Sequence, residues 1–266
     1  MTVTEEIRRW MNTEWLGKEL IYKESTDSTN TRVKELAAES ALHGTVVAAG
    51  AQTDGKGRRG RSWVSPPGVN VYLSVLFRPE FPPARAPMLT MVTAYAMAQA
   101  IQEAAELPVQ IKWPNDLVIH GKKICGILTE MSVTEGRIQY VVTGIGMNTN
   151  MTEFPQEIED MATSLRLISG REIDRARLMG TMLNYLEKAY DRYEQEQNLE
   201  WLQDTYNALL VNYGKEVRVL DPGGEYSGAA EGIDGEGRLL VRKKDGGLIR
   251  ISSGEVSVRG VYGYAE

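Results

Sequence analysis

Apolar positions along this chain follow two spacings, and each spacing predicts one kind of element. Apolar residues three and four positions apart indicate helices, whereas alternating or short continuous apolar runs indicate β-strands. The pattern predicts helices over 5–16, 31–40, 88–106, 175–193 and 199–212. It predicts strands over 19–22, 45–51, 69–77, 109–112, 117–119, 124–129 and 139–147. The first 212 residues therefore hold both kinds of element.

The pattern changes after Gly214. Short β runs follow over residues 215–260, and they are separated by Pro222-Gly223-Gly224, Asp234-Gly235 and Asp245-Gly246-Gly247. Because Gly, Pro and Asp favour tight turns, this segment predicts a small all-β barrel. We place a domain boundary near residue 213, which divides the chain into domains 1–212 and 213–266.

Composition narrows the class of protein. The formal net charge of −6 disfavours a nucleic-acid-coating protein, because such proteins carry excess cation. The single cysteine, Cys125, excludes a disulfide scaffold and fits a reducing compartment. The uncharged run 86–102 is interrupted by Thr and Gln and is shorter than the ~20 apolar residues of a membrane span. We therefore expect a cytoplasmic protein that binds neither membrane nor nucleic acid.

Residues 55–61 concentrate positive charge on this acidic chain. Their sequence, Gly-Lys-Gly-Arg-Arg-Gly-Arg, combines glycines with cations, and we call the segment the cationic loop. Glycines let backbone N–H groups approach phosphate oxygens, and guanidinium groups bind those oxygens bidentately. The segment also matches G-x-G-x-x-G, but Pro66 and Pro67 prevent the helix that a dinucleotide-binding motif requires. The loop predicts another type of phosphate site, or a solvated basic turn.

The sequence Lys112-Trp113-Pro114-Asn115-Asp116 ends a predicted strand in a rigid proline turn. A carboxylate beside a phosphate-binding loop repels the ligand unless a divalent cation lies between them. Asp116 is therefore a candidate Mg²⁺ ligand. The alternative is a turn residue whose side chain satisfies its own backbone.

Glycines interrupt two of the predicted strands. Gly126 follows Lys123 inside one strand, and a glycine in that position often marks close approach by a ligand. In the other strand, the two-residue period places Gly144, Gly146 and Asn148 on one face. A flat slot with an amide at its end fits a purine, while tight packing of a helix on the glycines is the alternative.

Nucleophile arrangements are poorly supported. The two histidines, His43 and His120, each lie beside a glycine in a predicted turn, so we expect both to be solvated. Neither belongs to a G-x-S-x-G or an H-E-x-x-H motif, which disfavours acyl-enzyme and zinc chemistry. Cys125 lies in an apolar run and is expected to be a buried hydrophobic residue.

Five motifs occur in the order and spacing of bacterial biotin protein ligases, and the chain resembles that family over about residues 20–266. The motifs are Ser28-Thr29-Asn30 and the segments 55–63, 112–116, 121–128 and 144–148. The segment 254–259 is similar to the family's C-terminal signature. The resemblance implies an α+β fold: a class II synthetase-like catalytic domain with a mixed sheet and flanking helices, followed by an SH3-like β-barrel.

The resemblance also implies a two-step reaction. ATP and biotin give biotinyl-5′-AMP and pyrophosphate, and the biotinyl group then passes to one lysine of the biotin carboxyl carrier protein of a carboxylase. The implied requirements are ATP, biotin and Mg²⁺.

Some members carry an N-terminal winged helix-turn-helix, for which too few residues precede these motifs, so we expect a monofunctional ligase that does not bind an operator. It is expected to be a monomer or a homodimer, and the strand at 138–143 is a candidate edge for pairing across a two-fold axis.

Residue roles follow from the same resemblance. The residues implied in catalysis are Arg58, Lys123 and Asp116, the last as the candidate Mg²⁺ ligand. Those implied in biotin binding are Ser28, Thr29, Asn30, Gln52, Gly55, Lys56, Lys123, Gly126 and Gly144. Those implied in nucleotide binding are Arg58, Arg59, Arg61, Trp63, Asn115, Asn148 and Arg259. Lys123 is expected to pair with the biotin carboxylate, and Arg58 is expected to retain the adenylate.

Two alternatives stay open at this point. A lipoate or octanoate ligase or transferase shares the implied fold, but it has a different lysine signature and lacks the Arg-Arg-Gly-Arg loop followed by Trp63. A biotin-sensing repressor is disfavoured by the acidic charge and by the absence of a DNA-binding module. The segment 149–165 lacks the tryptophan that caps adenine in some members, and it is a candidate lid.

Overall fold

Seven strands form the main sheet in the computed structural model, which describes residues 1–220 and 224–253 and the backbone of 257–260. They are β1 (Leu20–Lys23), β2 (Val46–Ala49), β3 (Val71–Phe77), β4 (Gln110–Lys112), β5 (Asp116–Ile119), β6 (Lys122–Thr134) and β7 (Arg137–Met147). Their order is β1-β2-β3-β7-β6-β5-β4. Only β1 and β2 pair in parallel among these neighbours of the described chain, which confirms the predicted mixed sheet.

Helices cover both faces of this sheet. They are α1 (Val3–Arg8), α2 (Thr29–Ala38), α3 (Met88–Ala105), α4 (Leu165–Ser169), α5 (Arg175–Glu196) and α6 (Gln203–Leu209). α3 and α5 pack together over one face, while α2 covers the other with Val33 and Ala37. This arrangement confirms the predicted flanking helices. None of the helices in the described part of the chain is both long and apolar enough to cross a membrane.

Alternation along β6 and β7 gives the two faces of the sheet different chemistry. Cys125, Ile127, Ile145 and Met147 belong to the main core that α3 and α5 cover. Each of these side chains is buried, and full burial of an aliphatic side chain contributes about 1.5–3 kcal/mol. The residues between them face α2, so the same two strands supply both a core and a second surface.

The helix predicted over 5–16 ends at Arg8. A buried carboxylate, Glu187, accepts hydrogen bonds from the backbone N–H groups of residues 14–16 at 2.7–2.9 Å. These donors are therefore not available for a helical ladder. The segment does have helical apolar spacing, but the hydrogen bonds to Glu187 of α5 determine its backbone conformation.

The C-terminal residues form a second sheet, as far as the structure describes them. Its strands are β8 (Glu216–Leu220), β9 (Tyr226–Ile233), β10 (Leu239–Arg242), β11 (Leu248–Ile251) and β12 (Ser257–Gly260). Their order is β11-β10-β9-β8-β12, and the neighbours pair in antiparallel fashion. This sheet confirms the predicted all-β C-terminal unit of the fold.

Hydrogen bonds join the second sheet to the rest of the molecule. Trp113 Nε1 donates to the Gly237 carbonyl oxygen at 3.0 Å, and the Leu199 N–H donates to the Gly235 carbonyl oxygen at 2.7 Å. In the second bond the donor is the N–H of Leu199, the first residue of the helix predicted over 199–212. The observed helix, α6, begins only at Gln203. Trp113 lies two residues before Asn115 and three before Asp116. Its hydrogen bond therefore connects the second sheet to the turn that carries these two polar residues.

The strand at 138–143 is paired on both sides over half of its length. β7 pairs with β6 along Arg137–Met147, and its residues from Val141 onward also pair with β3. Both sides of residues 141–143 are therefore occupied. The prediction of pairing across a two-fold axis is wrong for these residues.

His43 is half-buried, so its predicted solvation is wrong. Its Nδ1 accepts a hydrogen bond from the Arg78 backbone N–H at 3.0 Å, which requires an unprotonated Nδ1. Burial lowers the pKa of His43. The centroid of the His43 ring lies 4.3 Å from that of Trp15, 5.9 Å from that of Phe77 and 5.3 Å from that of Tyr190. These contacts come from distant segments, and the neighbouring glycine gives no sign of them.

We expect His43 to make the stability of the protein depend on pH. Its pKa in the folded state lies below the value of 6.5 for the free side chain, so the unfolded chain binds more protons between the two values. The free energy of unfolding should therefore fall as the pH decreases below about 6.5. His43→Gln cannot titrate, and urea denaturation should show a smaller fall, by up to about 1 kcal/mol per pH unit. His120→Asn, in an exposed turn, is the control; an unaltered pH dependence in His43→Gln would contradict this prediction.

Candidate functional site

A strip of bare backbone crosses β6 and β7 on the face that α2 covers. The register pairs Gly126 with Gly146, and Leu128 with Gly144. We call the strip formed by Gly126, Gly144 and Gly146 the glycine groove. The two-residue period of the sequence predicted the shared face of Gly144 and Gly146, and the antiparallel register adds Gly126.

Two side chains lie directly on the glycine groove. A Cβ atom at Gly146 would lie 2.5 Å from Trp63 Nε1, and a Cβ atom at Gly126 would lie 2.9 Å from Trp63 Cζ3. A Cβ atom at Gly144 would overlap the Asn30 amide. Each glycine therefore permits a close approach that no other residue allows. The Trp63 indole occupies the flat slot for which the sequence predicted a purine.

The Trp63 indole lies in the groove with an unmet hydrogen-bonding group. Its Nε1 is buried and has no partner among the described residues. A buried donor without an acceptor typically costs about 1–3 kcal/mol. Lys123 Nζ lies 5.3 Å from the ring centroid, and such a cation–π contact offsets only about 0.5–1 kcal/mol. A ligand that displaced the indole, or offered it an acceptor, would remove this penalty.

The start of α2 forms a polar end to the groove. The Thr29 backbone N–H donates to Gln52 Oε1 at 2.8 Å, and Gln52 Nε2 donates to Ser65 Oγ at 3.0 Å. These bonds fix the orientation of the Gln52 amide. Ser28 is the N-cap residue of α2, but its side chain makes no capping hydrogen bond. Its hydroxyl is therefore not used by the helix.

Ser74 belongs to this polar end, although the sequence did not predict it. It lies in β3 beneath α2 and is fully buried. Its Oγ is 2.7 Å from Thr29 Oγ1 and 2.6 Å from Asn30 Oδ1. The only signal in the sequence is a hydroxyl in the middle of an apolar strand, which needs a partner once it is buried.

The cationic loop folds as a short hairpin. The Gly57 N–H donates to the Arg61 carbonyl oxygen at 2.7 Å. The tip turns through Arg59 and Gly60, whose φ angles of 59° and 71° are left-handed. The hairpin directs Arg58 toward the glycine groove and leaves Arg59 and Arg61 exposed.

Arg58, Asn115, Asp116 and Lys123 form a charged cluster beside the groove. Arg58 Nη1 donates to Asn115 Oδ1 at 2.7 Å, and Lys123 Nζ donates to Asp116 Oδ1 at 2.6 Å. Asn115 Nδ2 also donates to Asp116 Oδ1 at 3.0 Å and thereby joins the two pairs. Burial lowers the pKa of Arg58, against the effect of Asp116, but a guanidinium keeps its charge. Two cations and one carboxylate leave the cluster with one excess positive charge.

Asn148 directly follows β7, which ends at Met147, and its place on the face of the glycines stays a prediction. Asn148 Nδ2 donates to the Thr163 carbonyl oxygen at 3.1 Å, and its backbone N–H donates to the Ile124 carbonyl oxygen at 2.8 Å. Asn148 thus fastens the candidate lid segment to β6.

The groove, the start of α2 and the charged cluster enclose one cavity of about 40 Å³. The predicted site residues that line it are Ser28, Thr29, Asn30, Gln52, Lys56, Arg58, Trp63, Asn115, Lys123, Gly126 and Gly144. Asp116 contacts this lining through Lys123, whereas Gly55, Arg61 and Asn148 lie outside it. The side chain of Arg259 lies outside the described residues.

A second cavity of about 330 Å³ meets the first at Arg58, Ile127 and Leu128. It is lined by Arg59 from the cationic loop, Thr90 from α3, Met131 from β6 and Ser253 from the C-terminal domain. Arg58 therefore faces both cavities.

Comparison with known proteins identifies the family. The family model of the biotin/lipoate A/B protein ligases matches residues 22–148, and that of the biotin protein ligase C-terminal domain matches residues 213–259. The bifunctional ligase/repressor BirA of Bacillus subtilis (strain 168) is 39% identical over 95% of this chain and 78% of its own length. The biotin–[acetyl-CoA-carboxylase] ligase of Mycobacterium tuberculosis is 33% identical over 87% of this chain and 85% of its own length.

Solved structures agree with the sequence matches. The biotin protein ligase from Aquifex aeolicus in complex with biotin and ATP has a TM-score of 0.80 and 31% identity. That match covers 91% of this chain and 99% of the Aquifex aeolicus chain. The resemblance seen in the sequence motifs is confirmed over almost the whole length. The chain belongs to the biotin protein ligase family.

Proposed function

We propose that this protein activates biotin with ATP to form biotinyl-5′-AMP, and that it then transfers the biotinyl group to a lysine of a biotin carboxyl carrier protein. One observation carries the proposal. A single cavity is lined by the neutral hydrogen-bonding groups of Ser28, Thr29 and Gln52 at the start of α2, and it is also lined by Arg58 and Lys123 of the charged cluster; Lys56, hydrogen-bonded to Thr31 of α2, is a third cation in its lining. Biotin has a neutral ureido head and a carboxylate tail, so it matches this division.

The polar end of the cavity suits the ureido ring. That ring presents one carbonyl acceptor and two N–H donors. The hydroxyl of Ser28 supplies a donor for the carbonyl, and Thr29 supplies an oxygen for an N–H. Gln52 holds the Thr29 backbone in place through its hydrogen bond to the Thr29 N–H.

The charged cluster suits the carboxylate tail. Its one excess positive charge becomes neutral when a carboxylate enters, which favours binding in a partly buried site. Lys123 lines the cavity and pairs with Asp116, so its ammonium group is positioned before the ligand arrives. Neutralising the biotin carboxylate also reduces its repulsion of the incoming α-phosphate of ATP.

The two chemical steps need positioning and electrostatic stabilisation, and they need no protein nucleophile. In the first, a carboxylate oxygen attacks the α-phosphorus, and the bond to pyrophosphate breaks with its electrons on the leaving group. In the second, an uncharged lysine amine attacks the acyl carbon, the amide forms, and AMP leaves. Arg58 faces the region where negative charge accumulates. Cys125 is buried on the opposite face of the sheet, and burial raises the pKa of its thiol.

A purine can reach the bare backbone of the glycine groove only when Trp63 moves. The indole fills the space above Gly126 and Gly146, and its buried Nε1 makes no hydrogen bond there to the described residues. We infer that nucleotide binding shifts Trp63 from the groove to a position beside the adenylate.

Mg²⁺ would enter with ATP. Among the described residues no group of three His, Cys, Asp or Glu side chains could hold a metal ion. Asp116 is one carboxylate that already interacts with Lys123 and Asn115. Magnesium bound by one protein carboxylate and by substrate phosphates is common, so Asp116 fits this role. The ion would neutralise phosphate charge during the first step.

The second cavity gives the acceptor lysine a route to the adenylate. It meets the substrate cavity beside Arg58 and has a volume of about 330 Å³. We therefore propose the carrier protein as the macromolecular partner, and the cytoplasm, where ATP and the carrier occur, as the compartment.

Pyrophosphate exchange into ATP tests the proposed function directly. Exchange should be at least about 10²-fold faster with biotin than with lipoate or octanoate, because neither of those acids can satisfy the polar end of the cavity. Mass spectrometry of a carrier domain should then show one biotinylated lysine. Faster exchange with lipoate or octanoate would overturn the proposal and favour an acyl ligase of the same fold.

A further inference from the structure

A chain of five polar side chains runs from the surface to the substrate cavity. Its members, in order, are Lys34, Glu130, Asn30, Ser74 and Thr29, and we call them the polar relay. The donor–acceptor distances along it are 2.5, 2.8, 2.6 and 2.7 Å. Asn30, Ser74 and Thr29 are buried, whereas Lys34 and Glu130 are about one-third exposed.

The charged end fixes the orientation of Asn30. Burial raises the pKa of Glu130, but hydrogen bonds from Lys34 and Asn30 outweigh this effect and hold the pKa below its ordinary value. An ionised carboxylate can only accept hydrogen bonds. Asn30 must therefore direct its NH₂ group to Glu130 and its Oδ1 to Ser74.

The orientation of Asn30 fixes the two hydroxyl protons that follow. An amide oxygen only accepts, so Ser74 donates its single proton to Asn30 Oδ1. Ser74 Oγ can then only accept from the Thr29 hydroxyl. The Thr29 hydroxyl has one other acceptor within reach, Gln52 Oε1. That oxygen lies farther from Thr29 Oγ1, at 3.2 Å, and it already accepts from the Thr29 backbone N–H. Thr29 Oγ1 is left with a lone pair toward the cavity.

We propose that Glu130 and Lys34 are specificity-determining positioning residues, which act through the polar relay to keep Thr29 a hydrogen-bond acceptor toward the ligand. This inference rests on the proposed function, in which the matching donor is an N–H of the biotin ureido ring. Acids with an aliphatic or dithiolane head have no such donor. Lys34 and Glu130, which do not line the substrate cavity, therefore determine which head group the cavity prefers.

Glu130→Gln tests the direction of the relay because it conserves shape. Lys34 can only donate, so the new amide must turn its oxygen to Lys34 and its NH₂ to Asn30. Asn30 then turns and gives up its long hydrogen bond of 3.4 Å to the Leu128 carbonyl oxygen, Ser74 donates to Thr29, and Thr29 becomes a donor toward the cavity. The KM for biotin should rise about tenfold, as expected for one mispaired hydrogen bond, while kcat and the KM for ATP should not change.

The sharper measurement compares biotin with cyclic carbamate analogues, in which a ring oxygen replaces one or the other ureido N–H. The wild-type protein should prefer biotin to one analogue by about tenfold or more, and Glu130→Gln should bring that ratio close to one. Ser74→Ala, which interrupts the relay, should also reduce the ratio. Glu35→Gln is the matched control, because it removes an ion pair with Arg32 on the same helix, outside the relay.

The outcomes separate this inference from the proposed function. Unchanged ratios in Glu130→Gln and Ser74→Ala, with thermal unfolding that confirms folded protein, would overturn the relay. Equal losses for biotin and both analogues would also overturn it, because they indicate a structural role. Wild-type protein that activated neither biotin nor an analogue would instead overturn the proposed function.

Discussion

Replacing Arg58 with glycine is expected to slow adenylate formation by about 10²–10³-fold and to let biotinyl-5′-AMP escape from the protein. Arg58 lines both cavities and is the cation among the three residues that they share, and Asn115 holds its guanidinium at 2.7 Å. A donor fixed in this way is aimed at developing phosphate charge before reaction, so its loss raises the barrier. Because the same group lines both cavities, we expect its loss also to open a way out.

Two measurements check the Arg58→Gly variant. Quenched-flow kinetics should show the slower first step, and incubation with unrelated proteins should show biotin on many exposed lysines, because the free mixed anhydride acylates amines without selection. Arg9→Gly, at the exposed C-cap of α1, should behave as the wild-type protein does. If Arg58→Gly labelled only the carrier lysine, Arg58 would have no part in retaining the adenylate.

Replacing Lys123 with alanine is expected to weaken biotin binding by about 10²-fold, and to change ATP binding much less. The ammonium group lines the substrate cavity, and we assign it to the biotin carboxylate. The variant should also lose about 1–3 kcal/mol of stability, because Asp116 is buried and loses its charged partner. Adding Asp116→Asn to Lys123→Ala should restore much of the stability and none of the biotin affinity.

Titration calorimetry and urea denaturation together separate these two effects of Lys123. The neighbouring Lys122 is the matched control, since it is exposed and donates to the Glu159 carbonyl oxygen. Lys122→Ala should keep the affinity for biotin. Equal losses of biotin and ATP affinity in Lys123→Ala would contradict the assignment of Lys123 to the biotin carboxylate.

Local patterns were sufficient to predict most strands and the bare face of the site. Alternation depends only on neighbouring residues, so Gly144 and Gly146 could be placed on one face without knowledge of the fold. The same rule does not give the partner of a side chain. The hydrogen bond from Asn148 Nδ2 to the Thr163 carbonyl oxygen could therefore not be predicted from alternation.

Contacts between distant segments were not predictable. Trp63 covers Gly126 and Gly146, which follow it by more than sixty residues, and no local pattern encodes that approach. Ser74 was missed for the same reason, since its partners lie on α2. Glu187 likewise takes the backbone donors of residues 14–16, where the local pattern favours a helix. In each case, burial of a polar group required a partner that only the tertiary structure supplies.

The opposite faces of β6 and β7 imply that neighbouring substitutions in these strands will report on different properties. The side chains of odd-numbered positions such as Ile127 and Ile145 pack in the main core, whereas Trp63 lies on the even-numbered Gly126 and Gly146. A scan from position 125 to 127 or from 145 to 147 should therefore alternate between variants that lose main-core packing and variants that displace Trp63. Along these short stretches, thermal unfolding and turnover would each report on one side of a single sheet.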